Sequence, residues 1–419
     1  MNKRDFLKTF GTAAIGSPFL SLDLSSSHKF EDYSKRNNLS ETDFWKKIRE
    51  DYTLKKDYLN LENGYYCIVP NPTLNNFITH VKKINIEGSY YMRHNRDKDN
   101  KRIEARLANF LNCKPEELVV TRNTTESLDL IIGGFPWKKG DEAIYAKQDY
   151  GAMQQMFKLV SKRYGVVNKI VSVPNHPKSD EEIVKLYEDQ ITSKTKLIMV
   201  CHMVNITGHI LPIRKICDMA HKYGVEVMVD GAHCIGHFKV NISELNCDYY
   251  GSSLHKWLST PLGVGILYIS KNKISKINPL LASHVHEQDN ILRLNHIGTH
   301  PVYTDLAIDN ALDYQEMIGT DRKENRLRYI QRYWSDRLRK IKNVVINTPI
   351  EEHKSCGIAN VGIKSMDPGK LAKILLDKYQ IFTVAINHEN VVGCRISPNV
   401  YTNEEDLEHF ISSIKELAV

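Results

Sequence analysis

The chain carries eight cysteines, at 67, 113, 201, 217, 234, 247, 356 and 394, yet no CxxC pair. That excludes a zinc-knuckle spacing and a redox dithiol, and leaves the thiols to be read as buried small hydrophobes. No basic block with interleaved aromatics is present, and a formal charge of +7 over 419 residues is modest, so no nucleic-acid partner is expected. Internal repeats and low-complexity tracts are missing, as is any apolar run long enough for a transmembrane segment. His284 and His286 in "SHVHE" stand two apart with no carboxylate or cysteine at ligand spacing, so no metal is expected.

What remains, 42% hydrophobic and 26% charged residues, suits one large domain plus a smaller one working on small molecules. Residues 1–24, beginning "MNKRDFLKTFGTAAIGSPFLSL", open with a basic segment and continue with a short, weakly apolar stretch. They resemble a twin-arginine export signal with Lys3 in place of the first arginine and without an A-x-A cleavage site, which implies export to the periplasm; the alternative is an N-terminal arm on a cytoplasmic protein. Residues 25–57 read as a linker and an N-terminal helix near Glu41–Asp51.

From Tyr58 short apolar runs alternate with helical patterns: "ELVVT", "DEAIYA", "KIVSV", "KLIMVCHMV", "VEVMVDGAH", "CDYYGSS" and "GVGILYI". Such alternation predicts an α/β fold, a mostly parallel sheet covered by helices on both faces, over 58–342. "LPIRKICDMAHKYG" is a crossover helix with Gly224 past its end, and one long helical region is expected over 303–341. The tail, 343–419, reads as a small α+β domain: two strands, a helix, paired strands and a helix.

Ligands of open parallel sheets settle at the carboxyl ends of strands. After "ELVV" comes "TRNTTES", where Asn123 is an N-cap, Glu126 completes a capping box, and Thr124 and Thr125 offer an anion seat at a helix start. After "VEVMV" comes "DGAH", which leaves Asp230 at the end of a strand buried on both faces. A carboxylate there needs a partner, either a basic side chain or a protonated pyridine nitrogen. His233 lies three residues on, within reach of the same ring's phenolic oxygen. Lys256 sits in "GSSLHKW", 26 residues after Asp230 and one strand away, either snorkelling past Trp257 or serving as a Schiff-base lysine. Ser253 and His255 flank it as phosphate donors, and Gly263 and Gly265 let the backbone approach closely. Anion seat, strand-end Asp, His and Lys together fit pyridoxal 5'-phosphate.

The ordered set "NTTES", "QDYGAM", "HMVNITGHILPI", "VDGAH", "GSSLHKW", "IGTHP" and "CRISPNVYTNEEDL" resembles the class V aminotransferase family of fold-type I pyridoxal-phosphate enzymes. That group holds cysteine desulfurases and isopenicillin N epimerase-like proteins, and the resemblance to the second branch is carried by "ENGYYCIVP" and "NHEN". The resemblance implies a homodimer acting on an amino-acid-like substrate. Lys256 would be the catalytic Schiff-base residue, Asp230 the partner of the pyridine nitrogen, Tyr150 the ring stack where the family commonly has histidine, and Asn205 and His233 the contacts to the phenolic oxygen. Thr124, Thr125, Ser253 and His255 would hold the phosphate, joined by Thr299 of a partner subunit, and Arg395 would grip the substrate carboxylate.

Cys394, adjacent to Arg395 on a strand, should face away from it, so cysteine desulfuration through a persulfide is not expected. Three fates then stay open at the substrate Cα: transamination, epimerisation with Tyr65, Tyr66, Tyr90, Tyr91 or His94 as a second proton donor, and C–S or β-elimination. A non-catalytic binding protein on the same scaffold is the alternative from another class.

Overall fold

In a computed structural model of the chain, residue 36 and residues 38–282 and 287–419 are described. The export-signal reading and the His284/His286 pair lie outside the described residues. The strands in chain order are β1 (Leu59–Asn60), β2 (Leu118–Thr121), β3 (Glu142–Ala146), β4 (Val167–Val171), β5 (Thr195–Cys201), β6 (Glu226–Asp230), β7 (Tyr249–Ser253), β8 (Gly265–Ile269), β9 (Val344–Ile346), β10 (Ala359–Ile363), β11 (Ile381–Phe382), β12 (Val384–His388) and β13 (Val391–Ile396).

Seven of them form one sheet in the order β2-β8-β7-β6-β5-β3-β4. β3, β4, β5, β6 and β7 run parallel, and β8 lies antiparallel to both β2 and β7. Parallel neighbours need crossovers, and the helix Ile213–Lys222 supplies the one between β5 and β6. Its buried Ile213, Ile216, Met219 and Ala220 recur at helical spacing, and Gly224 takes the positive φ of +68° that turns the chain into β6. Every residue of β3, β6, β7 and β8 is buried, as expected where helices cover both faces.

The antiparallel sheet β12-β13-β10-β9 carries the helices Pro368–Tyr379 and Glu404–Leu417 beside it. One short connection crosses back: β1 pairs in parallel with β11, and Glu62 bridges Ser397. The segment just after β1 is thereby tied to the end of β13, although more than 300 residues separate them in sequence.

The long helix expected over 303–341 is in fact two, Val302–Ile318 and Thr320–Leu338. Gly319 adopts φ +86° between them, a conformation that ends an α-helix, and the second helix restarts at the next residue. Among the described residues no helix is long and apolar enough to cross a membrane. All eight cysteines are free thiols, and all but Cys113 are fully buried.

Candidate active site

A cleft of about 430 Å³ opens at the carboxyl ends of β2, β5, β6 and β7, within the size range of small-molecule sites. It is lined by Thr124, Thr125, Tyr150, Asn205, Asp230, His233, Ser253, His255, Lys256 and Arg395. Ten of the eleven residues singled out from sequence therefore meet in one place. The eleventh, Thr299, is exposed and does not line the cleft of its own chain. Another hollow, about 950 Å³, lies beside Trp45, but its guanidinium groups are already paired, Arg49 with Asp406, Arg322 with Glu41 and Arg326 with Glu404.

The floor of the cleft is a helix start. Asn123 caps the helix Thr124–Gly134, its side chain accepting from the Glu126 N–H at 2.9 Å. The expected capping box forms only by half: the Glu126 carboxylate turns to the Arg122 N–H at 2.6 Å and to the Arg122 guanidinium instead of the cap's own N–H. Ser253, at the end of β7, reaches across to this turn. Its hydroxyl accepts from the Thr124 N–H at 3.0 Å and lies 2.7 Å from the Thr124 hydroxyl, so three donors that could hold an anion are clustered at the helix start. Gly265 makes the approach possible, since a Cβ there would sit 2.7 Å from Asn123 Cα.

Asp230 is 4% exposed, and its Oδ1 accepts only the Ala232 N–H, at 3.0 Å. Among the described residues no basic side chain stands within ion-pair distance of it, which disposes of the salt-bridge explanation. Burial pushes its pKa up, opposed by the Ala232 N–H and the charge of Lys256. A buried carboxylate at a cavity wall with no ion-pair partner is the acceptor a pyridinium nitrogen requires. The donor set, one strand-end carboxylate, one amine and an anion-binding helix start, thus fits pyridoxal 5'-phosphate.

Lys256 Nζ lies 3.0 Å from His233 Nε2. Burial lowers the lysine's pKa to about 8, although Asp230 pulls it upward, and Arg395 adds to the lowering. Burial likewise holds His233 well below its usual range, with Lys256 and Arg395 acting in the same sense, so the imidazole is neutral. His255 anchors its ring on the Val264 carbonyl at 3.2 Å. The amine does not snorkel to bulk water past Trp257; it points into the cleft.

Arg395 is 7% exposed and is held by a carboxylate that the sequence did not flag. Its Nη2 and Nε donate to Glu62 Oε1 and Oε2 at 2.5 and 3.1 Å, and Nη1 donates to the Asn205 carbonyl at 3.3 Å. Gly64 packs flat on the guanidinium, where a Cβ would come within 2.6 Å. Arg122, Met153, Cys201, Met203 and Leu262 also line the cleft; of these, Cys201 and Met203 stand at the end of β5 and were open to the strand-end rule.

Cys394 faces away from the cleft as expected, buried with its thiol toward the Pro368 carbonyl at 3.6 Å. Of the candidates for a second proton donor only Tyr65 lines the cleft. Tyr91 is buried and donates to Asp99 at 2.9 Å, while Tyr90 packs at a tilt against His94.

Comparison with known proteins identifies the family and the fold. The model of the family described as Aminotransferase class-V matches residues 73–410. The chain is 26% identical over 332 residues to an isopenicillin N epimerase of Amycolatopsis lactamdurans, covering 75% of this chain and 83% of that protein. It is 26% identical over 405 residues to a cysteine desulfurase of Wigglesworthia glossinidia brevipalpis, covering 88% and 96%. The apo structure of a cysteine desulfurase from Thermococcus onnurineus NA1 superposes with a TM-score of 0.80 at 22% identity, over 89% of this chain and 98% of that one, and so shares its fold.

Proposed function

The chain belongs to the aminotransferase class V family, and from that premise we propose that it is a pyridoxal-phosphate-dependent enzyme acting at the Cα of an amino acid or amino-acid derivative. The observation that carries the reading is Asp230, a buried carboxylate without an ion-pair partner, sharing one cleft with Lys256. When bound, the cofactor supplies an electron sink for the negative charge left at Cα. The rest is work for this chain's own residues.

Asp230 would keep the pyridine nitrogen protonated, His233 and Asn205 would hold the phenolic oxygen, and Tyr150 would cover the ring. Thr124, Thr125, Ser253 and His255 take the phosphate. Lys256 would hold the cofactor through its amine and would be the base that moves the α-proton. Arg395 receives the substrate carboxylate through a two-pronged contact that lysine would make poorly. The protein works as a homodimer in which Thr299 of one protomer reaches toward the phosphate of its partner.

Among the fates of the substrate we favour aminotransferase or epimerase-type chemistry over C–S or β-elimination, because Tyr65 stands at the cleft wall as a second proton donor; Cys394, turned toward the Pro368 carbonyl, argues only against desulfuration through a persulfide. Incubation with L- and D-amino acids and cysteine-derived thioethers separates the outcomes. Transfer of the amino group to a keto acid supports transamination, and exchange of the α-proton with inversion supports epimerisation. Release of pyruvate and ammonia would replace both with a lyase.

A further inference from the structure

Beneath the cleft two histidines have their proton positions dictated by partners that can only donate. The Gly357 N–H donates to His237 Nε2 at 2.7 Å, so the proton of His237 is on Nδ1, which donates to the His233 carbonyl at 2.8 Å. The indole N–H of Trp257 is directed at His233 Nδ1 at 3.4 Å. A neutral imidazole whose Nδ1 accepts carries its proton on Nε2. That nitrogen is 3.0 Å from Lys256 Nζ, and an N–H aimed at an amine makes a hydrogen bond only when the amine keeps its lone pair.

We propose that Trp257 is a positioning residue whose indole N–H selects the Nε2–H form of His233, and that the His233 N–H favours the unprotonated amine of Lys256. The inference rests on Lys256 being the reactive amine of the site.

Trp257 is built to keep its direction. The side chain is fully buried and stacks on His237 with ring centroids 3.6 Å apart and planes 16° from parallel. Its carbonyl accepts from Lys323 Nζ at 2.6 Å, a buried amine also held by Gln315 at 2.8 Å. At Gly357 a Cβ would come within 3.0 Å of the indole, so the slot admits the ring in one pose. The charged and titratable groups facing Lys256 are Asp230 from β6, Arg395 from β13, Glu62 and Cys67 from the segment after β1, and His233. Those facing His233 are Lys256, Arg395, His237 and His255. Asp230, with smaller help from Cys67 and Glu62, favours the protonated lysine, and burial, Arg395 and the His233 N–H oppose it.

Competitive acetylation of the full-length chain freed of cofactor, read at the Lys256 peptide by mass spectrometry, gives the amine's pKa without any turnover. The wild type should titrate near pH 8. Trp257→Phe keeps the stack and loses the N–H, which allows the other tautomer to accept from an ammonium; the midpoint should rise by about one unit, roughly a tenfold drop in free amine at pH 7. In a His233→Gln background the same substitution should leave the midpoint where that background has it. No rise in Trp257→Phe, or an equal rise in both backgrounds, would overturn the proposal. If Trp257→Phe does not fold, the decision passes to the wild-type chain with ¹⁵N-labelled histidine, the His233 signal being the one missing in His233→Gln: a proton on Nε2 supports the proposal, and a proton on Nδ1 contradicts it. Loss of the cofactor's attachment to Lys256 would instead strike at the site assignment, which Lys256→Ala tests separately.

Discussion

Glu62 holds Arg395 from behind. Its two oxygens take the Nη2 and Nε protons at 2.5 and 3.1 Å, while Glu62 is itself fixed by the Tyr65 N–H at 2.9 Å and the Ser397 hydroxyl at 3.2 Å. One further guanidinium proton goes to the Asn205 carbonyl. What is left is one N–H on each terminal nitrogen, an end-on fork that arrives already oriented.

Arg395→Lys removes that fork and keeps the charge. A charged hydrogen bond is worth about 1.5–3 kcal/mol, so KM for a carboxylate-bearing substrate should rise roughly ten- to hundredfold. The visible spectrum of the bound cofactor should not change, because the cofactor does not depend on Arg395. Steady-state kinetics beside an absorbance scan check both parts.

The same pair has a stability signature. Both side chains are less than a tenth exposed, so Arg395→Met strands the Glu62 carboxylate and should cost about 3–5 kcal/mol in urea denaturation. Adding Glu62→Leu should return most of that loss. A double variant as unstable as the single one would mean that the cost lies in packing against Gly64.

Gly265→Ala should loosen the phosphate end. Its Cβ would sit 2.7 Å from both Asn123 Cα and the Ser252 carbonyl, so the 123–125 turn must move away from Ser253. We expect weaker retention of pyridoxal phosphate on dialysis together with an overpacking cost of about 1–3 kcal/mol. Cys394→Ala, in contrast, should leave turnover unchanged, since its thiol is turned toward the Pro368 carbonyl.

Two of the buried groups contribute to the pH dependence of the cofactor-free chain in opposite senses. Burial raises Asp149 from 3.8 to about 7, so the folded state holds its proton more tightly than the unfolded state, and stability falls as pH rises through that window. Lys256 is lowered from 10.5 to about 8, so its penalty is complete below pH 8 and is relieved as pH rises toward 10.5. Comparison of denaturation midpoints with those of a variant isolates the Asp149 contribution from those of the other buried groups: the stability of Asp149→Asn relative to wild type should grow as pH rises from acid through about 7.

Much of the site was legible because parallel sheets put chemistry where strands end. Asp230 and Ser253 are the last residues of β6 and β7, and Thr124 opens the helix after β2, so local patterns around each residue located it. Glu62 was not legible. Its partner lies 333 residues away, and only the β1–β11 pairing with the Glu62–Ser397 bridge brings them together. Trp257 was read as packing for a lysine stem, since a sequence does not show which acceptor an indole N–H will find. The break at Gly319 was missed because helical periodicity resumes at the next residue.

The account turns most directly on the absorbance of the purified, reconstituted protein from about 300 to 500 nm after exhaustive dialysis, compared with Lys256→Ala. It predicts a retained visible band in the wild type that shifts on addition of an amino-acid substrate, and no retained band in the variant. An equally persistent band in Lys256→Ala would place the amine elsewhere, and a wild type that never binds pyridoxal phosphate would contradict the account outright.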